Sequence, residues 1–542
     1  MISIPQLLFV FIMVSGGIPL SLFETPIQAV WPSIAALSIV LVTRKAVIGL
    51  FAGAISGALI LAEGSWWDAC LSLFSEHLVP HFESSWKMGA VALTLVLGGF
   101  AAVLEKGGGF EKIFDWSLKK IKDPAKGLQA GVMSLGLVCF FDGLANSMLV
   151  GRISRKLGKR CGVSGEKLAY LVDSTSSAVA CLAFVSTWIA YQLSMIKDGF
   201  SIVGQEVNPY LHFIRSVPFN FYCWFTLVLC AVCIFRNFNP GAMKSVECSA
   251  RQNLDKNTSL FGNTISRSGS VLSVVVPLSV LLVGMIFAFY VIGLCEPLEG
   301  GAISSYFPIT GEKVSAAFGS GKGPYIMVFM GVVGSLVAMA LYPHGTAKIG
   351  AVSVYIEGMR SMLVPLLILL GAWMLSSTLT ALKAGEFIAS FIGDAVPLWS
   401  IPLIVFVAGA LISFTMGSSW ATMGILMPLA IPMVAGHSDP IDLGAVETVY
   451  AAVIGAVFSG AVFGDHCSPI SDTTIVSSIA CGVEPHNHVR TQMPYALMAA
   501  LAAAILGFLP VGFRVSPWLS LSLGTGVLIG IGWWRGSRGA AN

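Results

Sequence analysis

The sequence predicts an all-α polytopic membrane protein with about twelve transmembrane helices plus two re-entrant hairpins, arranged as inverted repeats with discontinuous helices. The first observation is composition, since 56% of the 542 residues are hydrophobic and 11% are charged, against about 25% charged residues in soluble domains. The second is a series of long apolar runs. The third is a set of polar tracts inside those runs, where ionisable groups are costly and usually mark an ion or substrate path.

The apolar runs define the spans, because a helix needs about 20 mainly apolar residues to cross a bilayer. The candidate spans are 4–22, 28–43, 46–63, 87–104, 168–195, 212–235, 271–293, 325–342, 361–382, 446–475, 493–513 and 516–534. Two further apolar stretches, 127–150 and 401–434, have a polar centre. These two stretches are the predicted hairpins.

Lysine and arginine predict the orientation, because they accumulate in cytoplasmic loops. One assignment places every basic cluster in the cytoplasm, with both termini on the inner side of a bacterial inner membrane. Stretch 127–150 has basic clusters on both flanks, so an ordinary single crossing would put one cluster outside. No Lys or Arg occurs between Lys383 and Arg490, around 401–434. The two hairpins are therefore expected to enter from opposite faces.

The chain is predicted to contain two related halves. Each half reads as a span, a hairpin and then a span interrupted by a polar tract, at Asp173 in the first half and at Asp465 in the second. Weak internal similarity with inverted topology is typical of secondary transporters. The predicted segments are N-terminal scaffold spans 1–86, first repeat 87–235, cytoplasmic loop 236–270, connecting spans 271–360, second repeat 361–534 and cytoplasmic tail 535–542.

Several classes of function lack a sequence signal. There is no basic face with interleaved aromatics, so nucleic-acid binding is not predicted. No P-loop motif occurs, which argues against an ATP-driven pump. The pair Cys230 and Cys233 lies inside an apolar run without a second pair, so a zinc or redox site is not predicted. We expect neither an enzyme nor a bound cofactor, and sodium only as a transported or coupling ion.

The polar tracts supply the oxygen ligands that a cation site in a membrane requires, namely carboxylates, hydroxyls, amides and unwound carbonyls. The candidate ion- and proton-binding residues are Asp142, Asn146 and Ser147 in the first hairpin; Asp173, Ser174, Thr175 and Ser176 in the first tract; Ser418, Ser419 and Thr422 in the second hairpin; and Asp465, His466, Ser468, Ser471, Asp472 and Thr473 in the second tract.

Sodium is expected to bind through Asp465, Asp472 and Asp142. A desolvated carboxylate favours its protonated form, whereas a bound cation favours its charged form, so the two ions compete. Pro469 removes a helix hydrogen bond and predicts an unwound tract. Other roles stay open at this point, because Asp142 can cap a helix and Asp173 can be a cap or an ion-pair partner.

The same residues resemble the NhaC family of sodium–proton antiporters. The tract Phe463–Thr474 closely matches that family's most specific motif, and His488–Tyr495, Lys167–Thr175, Ser186–Ile189 and Gly417–Thr422 also fit. The first hairpin departs from the pattern, since Phe141-Asp142-Gly143-Leu144-Ala145-Asn146 stands where the family usually has Phe-Asp-Asp-Tyr-Ala-Asn. The resemblance implies a homodimer with an elevator-like moving domain.

The sequence therefore predicts a secondary active transporter that exchanges Na+ for H+. The alternative is a sodium-coupled or exchange carrier of a small organic acid, of the malate/lactate type, or of an amino acid, because the family resemblance includes such carriers. The predicted partners are Na+, H+ and the lipid bilayer, with a small organic solute under the alternative.

Overall fold

A computed structural model of the chain describes residues 4–22, 26–43, 45–110, 112, 123–252, 269–295, 305–318, 320–343, 350–384, 386–387, 396–437, 443–469 and 471–536. The secondary structure within these ranges is helical. The predicted loop 236–270 lies outside the described residues at 253–268, and the predicted tail 535–542 does so at 537–542.

The first half of the chain contains helices α1 to α13. They are α1 Ile4–Ser15, α2 Gly17–Leu22, α3 Trp31–Thr43, α4 Ala46–Leu61, α5 Trp66–Ser75, α6 Ser85–Lys106, α7 Pro124–Val138, α8 Gly143–Cys161, α9 Gly165–Leu182, α10 Thr187–Ile202, α11 Pro209–Ser216, α12 Phe221–Arg236 and α13 Ala242–Gln252. A short 3-10 helix, Val79–Glu83, precedes α6.

The second half contains α14 to α25. They are α14 Leu272–Gly293, α15 Gly311–Phe318, α16 Gly323–Ala340, α17 Ala351–Ser361, α18 Leu363–Ala381, α19 Ile401–Met416, α20 Ser419–Ala435, α21 Leu443–Cys467, α22 Asp472–Cys481, α23 Pro485–Ala502, α24 Leu509–Gly512 and α25 Pro517–Gly536. A π-helical turn, Ala503–Phe508, joins α23 to α24.

Many of these helices are apolar enough to cross a membrane. In the described part of the chain, seven pass by length and composition, or up to ten if each of three bent pairs counts as one span. The bent pairs are α4 with Trp66–Glu83, α9 with α10, and Pro209–Phe219 with α12. The predicted fold class, an all-α polytopic membrane protein with re-entrant hairpins and discontinuous helices, is confirmed.

The first hairpin consists of α7 and α8, joined by residues 139–142. Asp123 begins α7 by accepting the N–H groups of Ala125 and Lys126, and Asp142 begins α8 by accepting that of Ala145. The two arms have 15 and 19 residues. At about 1.5 Å per residue they are shorter than the ~30 Å hydrocarbon core of a bilayer.

The second hairpin consists of α19 and α20, joined at Gly417 and Ser418. Gly417 has a φ of 65°, which glycine adopts without the steric penalty of a Cβ. The Ser418 hydroxyl accepts the N–H of Ala421 at 3.3 Å and so caps α20. Both hairpin tips therefore present a capped helix N-terminus, where the helix dipole is positive.

The second broken span lies where the sequence predicts it. Helix α21 ends at Cys467 and α22 begins at Asp472. Pro469, which has no backbone N–H to donate, falls between them. A polar break thus follows Asp465 and His466 directly.

The first broken span differs from the prediction, because its break is not at Asp173. Helix α9 runs unbroken through Asp173 to Leu182, and the bend of 48° to α10 follows it. The Thr175 hydroxyl donates to the carbonyl of Leu171 at 2.8 Å, and that of Ser176 donates to Asp173 at 2.8 Å. Hydroxyls that bond within the helix do not interrupt it. The break follows Leu182 and ends where Ser186 caps α10.

Close packing holds α21 against α19. A Cβ built on Gly464 would overlap the Ser413 side chain, so only glycine fits there. The Ser413 hydroxyl donates to the carbonyl of Ala461 at 2.6 Å across the same contact. Small residues allow such close approach between membrane helices. This contact places Asp465, the next residue, beside the second hairpin.

Candidate ion-binding site

Asp465 is buried at the end of α21, immediately before the second break. Its Oδ1 accepts a hydrogen bond of 3.2 Å from the Ser471 hydroxyl, which lies across the break. Its Oδ2 is buried and has no hydrogen-bond partner among the described residues. The hydroxyls of Ser419 and Ser177 also lie close to this carboxylate. Asp465 thus has a free oxygen surrounded by hydroxyl groups.

The backbone around Asp465 supplies a further oxygen. The Asp465 carbonyl accepts hydrogen bonds from the hydroxyls of Thr474 and, at 3.5 Å, of Thr473. The Thr473 and Ser471 hydroxyls lie 3.2 Å apart. The break therefore brings together one carboxylate, one backbone carbonyl that accepts hydroxyl hydrogen bonds, and the hydroxyls of Ser471, Thr473 and Thr474.

Asp173 is equally buried, but both of its oxygens are occupied. Oδ1 accepts from the Ser477 hydroxyl at 3.2 Å, and Oδ2 accepts from the Gln492 amide at 2.7 Å. His488 Nε2 lies 3.4 Å from Oδ2. The three partners come from α22 and α23, so Asp173 ties α9 to the second half of the chain.

Gln492 joins the two aspartates. Its amide nitrogen also donates to the carbonyl of His466 at 2.9 Å. His466 Nδ1 lies 2.9 Å from the Tyr222 hydroxyl of α12. His466, Gln492, Tyr222 and Ser174 border a narrow cleft that has no room for a water molecule. We call the groups around Asp465 and Asp173 the central cluster.

The first hairpin tip lies against this cluster. Asp142 uses one oxygen to cap α8 and accepts from the Thr187 hydroxyl with the other, at 2.9 Å. The Asn146 amide donates to the carbonyls of Gly136 and Thr175 at 2.9 and 3.0 Å. The Ser147 and Ser477 hydroxyls lie 3.1 Å apart, which connects the tip to Asp173.

The second tip faces α10. The Tyr191 hydroxyl donates to the carbonyl of Trp420 at 2.6 Å. Thr422 is fully buried and donates to the carbonyl of Ser418 at 2.9 Å. Together with Ser419 beside Asp465, these contacts bring the second tip to the central cluster.

The remaining predicted residues have other surroundings. Asp472 is exposed in the first turn of α22, where a carboxylate complements the helix dipole, and it lies outside the buried cluster. Thr175 and Ser176 bond within α9. Ser468 is buried in the break, and its hydroxyl has no partner within the described ranges.

Several site residues were not among the predicted ligands. Gln492 and His488 belong to the segment His488–Tyr495, whose resemblance to the family was the sequence signal for them. Ser477 lies four residues after Thr473 on α22, so the two share a helix face. Thr187 lies in the segment Ser186–Ile189, which resembles the family, but its pairing with Asp142, 45 positions away, had no signal in the sequence.

The chemistry of the central cluster suits a small cation. No group of three or more His, Cys, Asp or Glu side chains in the described residues has the arrangement of a metal site. The ligands available at Asp465 are oxygens from hydroxyls, a carbonyl and one carboxylate, the types that membrane transporters use for sodium.

The comparisons with known proteins agree with this architecture. The model of the Na+/H+ antiporter family matches residues 179–513, more than half of the chain. The chain belongs to the Na+/H+ antiporter family. It is thus a multi-span membrane protein of a family of secondary antiporters, which is not an enzymatic class.

Known proteins match this chain over different lengths and at different sequence identities. An uncharacterised protein of Haemophilus influenzae is 29% identical over 91% of this chain and 92% of its own length. The Na+/H+ antiporter NhaC of Bacillus subtilis is 30% identical over 36% of this chain and 40% of its own. The YdaH transporter of Alcanivorax borkumensis has a TM-score of 0.57 at 15% identity, covering 83% of this chain and 90% of that one, which shows the fold alone.

Proposed function

We propose that the protein exchanges Na+ for H+ across the bacterial inner membrane and that both ions bind in competition at Asp465. The observation that carries this proposal is the buried Asp465 carboxylate, with one oxygen free of hydrogen bonds in the described structure and with hydroxyls around it. The family and the match to NhaC support the pair of ions.

The competition follows from solvation. A carboxylate removed from water retains a proton unless a cation balances its charge, and a bound sodium ion does so. A dehydrated sodium ion needs several oxygens, which Ser471, Ser419, Ser177 and the break carbonyls provide at Asp465. Sodium arrival therefore expels the proton, and protonation expels sodium.

The remaining predicted site residues keep lesser roles in this proposal. Asp142 positions the first tip, because both of its oxygens are already engaged with α8 and with Thr187. The tips and Asp173 hold the central cluster together. Sodium coordination by Asp472 and Asp142 stays a prediction.

A second candidate function is exchange that involves a small organic acid. The observation that favours it is a stretch of 104 residues with 36% identity to the malate-2H(+)/Na(+)-lactate antiporter of Bacillus subtilis, which is 19% of this chain and 20% of that protein. Under this alternative a solute would accompany the cation at the central cluster.

One experiment separates the two functions. The purified protein is reconstituted into liposomes with a pH-sensitive dye in the lumen, and NaCl is added outside. Sodium–proton exchange moves Na+ in and H+ out, so the lumen becomes alkaline without any organic solute. Choline chloride serves as the control salt. A lumen pH that responds only after malate or lactate is supplied would overturn the first proposal and support the second.

The proposed orientation, with both termini in the cytoplasm, can be tested with two native cysteines. Cys70 and Cys248 are both exposed. Cys70 follows α4 on the predicted outer side, and Cys248 lies on α13 in the predicted cytoplasmic loop. A membrane-impermeant maleimide on intact cells should label Cys70 and spare Cys248, and the reverse pattern would refute the orientation. The homodimer stays a prediction.

A further inference from the structure

A second buried cluster of charged groups lies away from Asp465. Lys87 near the start of α6 forms an ion pair of 2.7 Å with Asp198 Oδ1 near the end of α10, and both side chains are almost fully buried. Lys87 Nζ also lies 3.0 Å from His81 Nδ1. Ionisable groups inside a membrane protein are a functional hypothesis by default. We call His81, Lys87 and Asp198 the lysine cluster.

Trp373 of α18 completes the lysine cluster. Its carbonyl lies 3.1 Å from His81 Nε2. Its ring lies under Lys87 Nζ, 5.3 Å from the ring centroid. Its indole N–H donates to the Ser194 hydroxyl of α10. Four elements therefore meet here, namely the 3-10 helix Val79–Glu83, α6, α10 and α18.

The partners of His81 determine its protonation state. A lysine ammonium can only donate hydrogen bonds, so His81 Nδ1 must accept and carries no proton. A backbone carbonyl can only accept, so His81 Nε2 must carry the proton that faces Trp373. His81 is thus neutral in this arrangement, with its proton on Nε2.

A second proton cannot be added to His81 without a rearrangement. Protonation puts an N–H on Nδ1, which would face the Lys87 ammonium across 3.0 Å with two donors and two positive charges opposed. Asp198 Oδ2 is buried and has no hydrogen-bond partner in the residues described, so it can receive the released Lys87.

We propose that the lysine cluster is a proton-binding site separate from the central cluster, at which a proton on His81 Nδ1 displaces the Lys87 hydrogen bond and turns Lys87 wholly onto Asp198. One proton is bound and no covalent bond other than the new N–H forms. Burial and the Lys87 ammonium lower the pKa of His81 to about 4, so a proton competes directly with Lys87 for Nδ1.

Other charged groups lie near the lysine cluster and influence its protonation. His77 of the segment before α6 bonds to the Ser377 hydroxyl of α18 at 2.9 Å. The groups that act on the lysine cluster are His77 on the segment before α6, and Lys197 and Tyr191 on α10, while Glu76 acts on His77. The contacts of α18, through Trp373 and Ser377, are uncharged.

Helix α10 connects this site to both hairpin tips. Thr187 bonds to Asp142 of the first tip, Tyr191 to Trp420 of the second, Ser194 to Trp373 and Asp198 to Lys87. These four residues recur at the helical spacing of three and four, so they form one polar stripe. A shift of Lys87 therefore acts on the helix that touches both tips, and binding at either end affects the other equally.

The state of His81 can be read directly by NMR of histidine-labelled protein in liposomes. The His81 signals are assigned by their loss in His81→Gln. We expect the Nε2–H tautomer at pH 8, and signals of exposed His486, assigned with His486→Gln, provide the reference. An Nδ1–H tautomer for His81 at pH 8 would overturn the proposal.

The displacement is tested in the double variant Lys87→Met/Asp198→Asn, which removes both charges and leaves no buried charge unpaired. With Lys87 gone, His81 should titrate at a pH higher by at least about one unit than in the wild type. The exposed His486 provides the reference signal in both proteins. An unchanged His81 midpoint would show that Lys87 and the proton do not compete.

Stability provides a second measurement if the double variant fails to fold. The closed site binds no proton at His81, whereas the unfolded chain binds one below about pH 6.5, so acid destabilises the wild type. In His81→Gln the amide oxygen still accepts from Lys87, but position 81 no longer carries a group that binds a proton. The drop in melting temperature between pH 8 and pH 5.5 should be smaller in His81→Gln than in wild type or His486→Gln. Equal drops would contradict the proposal, whatever the protein transports.

Discussion

Asp173 and Asp465 are both buried aspartates in corresponding halves of the chain, yet their surroundings are opposite. Asp173 stands inside a continuous helix with Ser477, Gln492 and His488 at its two oxygens. Asp465 stands at a helix end, with one hydrogen bond from Ser471 and one free oxygen in the described structure. Fixed partners stabilise a buried charge permanently, whereas a free oxygen leaves room for an ion. Under the proposed function, Asp173 has a structural role and Asp465 holds the exchangeable ion.

The strongest test of this comparison is Asp465→Asn. The amide keeps the shape but removes the charge that binds sodium, and losing one member of a buried charge pair costs about 3–5 kcal/mol. Sodium-driven proton flux in liposomes should fall by about 100-fold or more. A variant with flux near wild type would remove Asp465 from the site.

Gln492→Ala tests the structural role of Asp173. Loss of the amide leaves Asp173 Oδ2 without its hydrogen-bond donor, which should lower the free energy of unfolding by about 1–3 kcal/mol. The sodium concentration for half-maximal flux should stay within about twofold, because no Asp465 ligand is removed. Thermal melting and flux are measured beside Gln252→Ala on exposed α13. A normal melting temperature together with weakened sodium binding would instead indicate that Asp173 belongs to the ion site.

Ser471→Ala removes a hydrogen bond to the Asp465 carboxylate. A loss of about 1 kcal/mol corresponds to roughly fivefold weaker sodium binding. Ser468 lies in the same break, and its hydroxyl has no partner within the described part of the chain. Ser468→Ala is therefore the matched control and should change sodium dependence by less than about twofold. Equal effects of the two variants would show that the Ser471 bond does not matter for the ion.

The smallest effect is expected for Asp472→Asn. Asp472 is exposed in the first turn of α22, where a carboxylate contributes about 0.3–1 kcal/mol through the helix dipole. The melting temperature should fall slightly, and flux should stay within about threefold of wild type. A complete loss of sodium dependence would extend the ion site to Asp472.

The fold class and the break between α21 and α22 can be predicted from the sequence, because both depend on residues that are close together in the chain. Apolar run lengths determine the spans, and Pro469 among hydroxyl residues identifies the break. The position of the first break was wrong, since Thr175 and Ser176 satisfy their hydroxyls within α9. A better signal was Ser186, whose hydroxyl caps α10 by accepting the N–H of Ile189.

Contacts between distant residues limit what the pattern reveals. Asp142 was weighed as a helix cap, and the cap is observed, but its bond to Thr187 crosses 45 positions. Trp373 lies 179 positions from its partner Ser194. Pairings of this kind depend on how helices pack, which periodicity and charge counts do not encode. Neither Lys87 nor Asp198 was among the predicted site residues.

The contact at Gly464 has a practical consequence for measuring motion. Because the Ser413 side chain fills the space where a Cβ would stand, α21 cannot slide or rotate against α19 without a collision. Any displacement of the second hairpin therefore carries Asp465 with it. Leu411 on α19 is 62% exposed and faces away from that contact. A spin label at Leu411 would report the position of Asp465 by distance spectroscopy, without any probe placed beside that carboxylate.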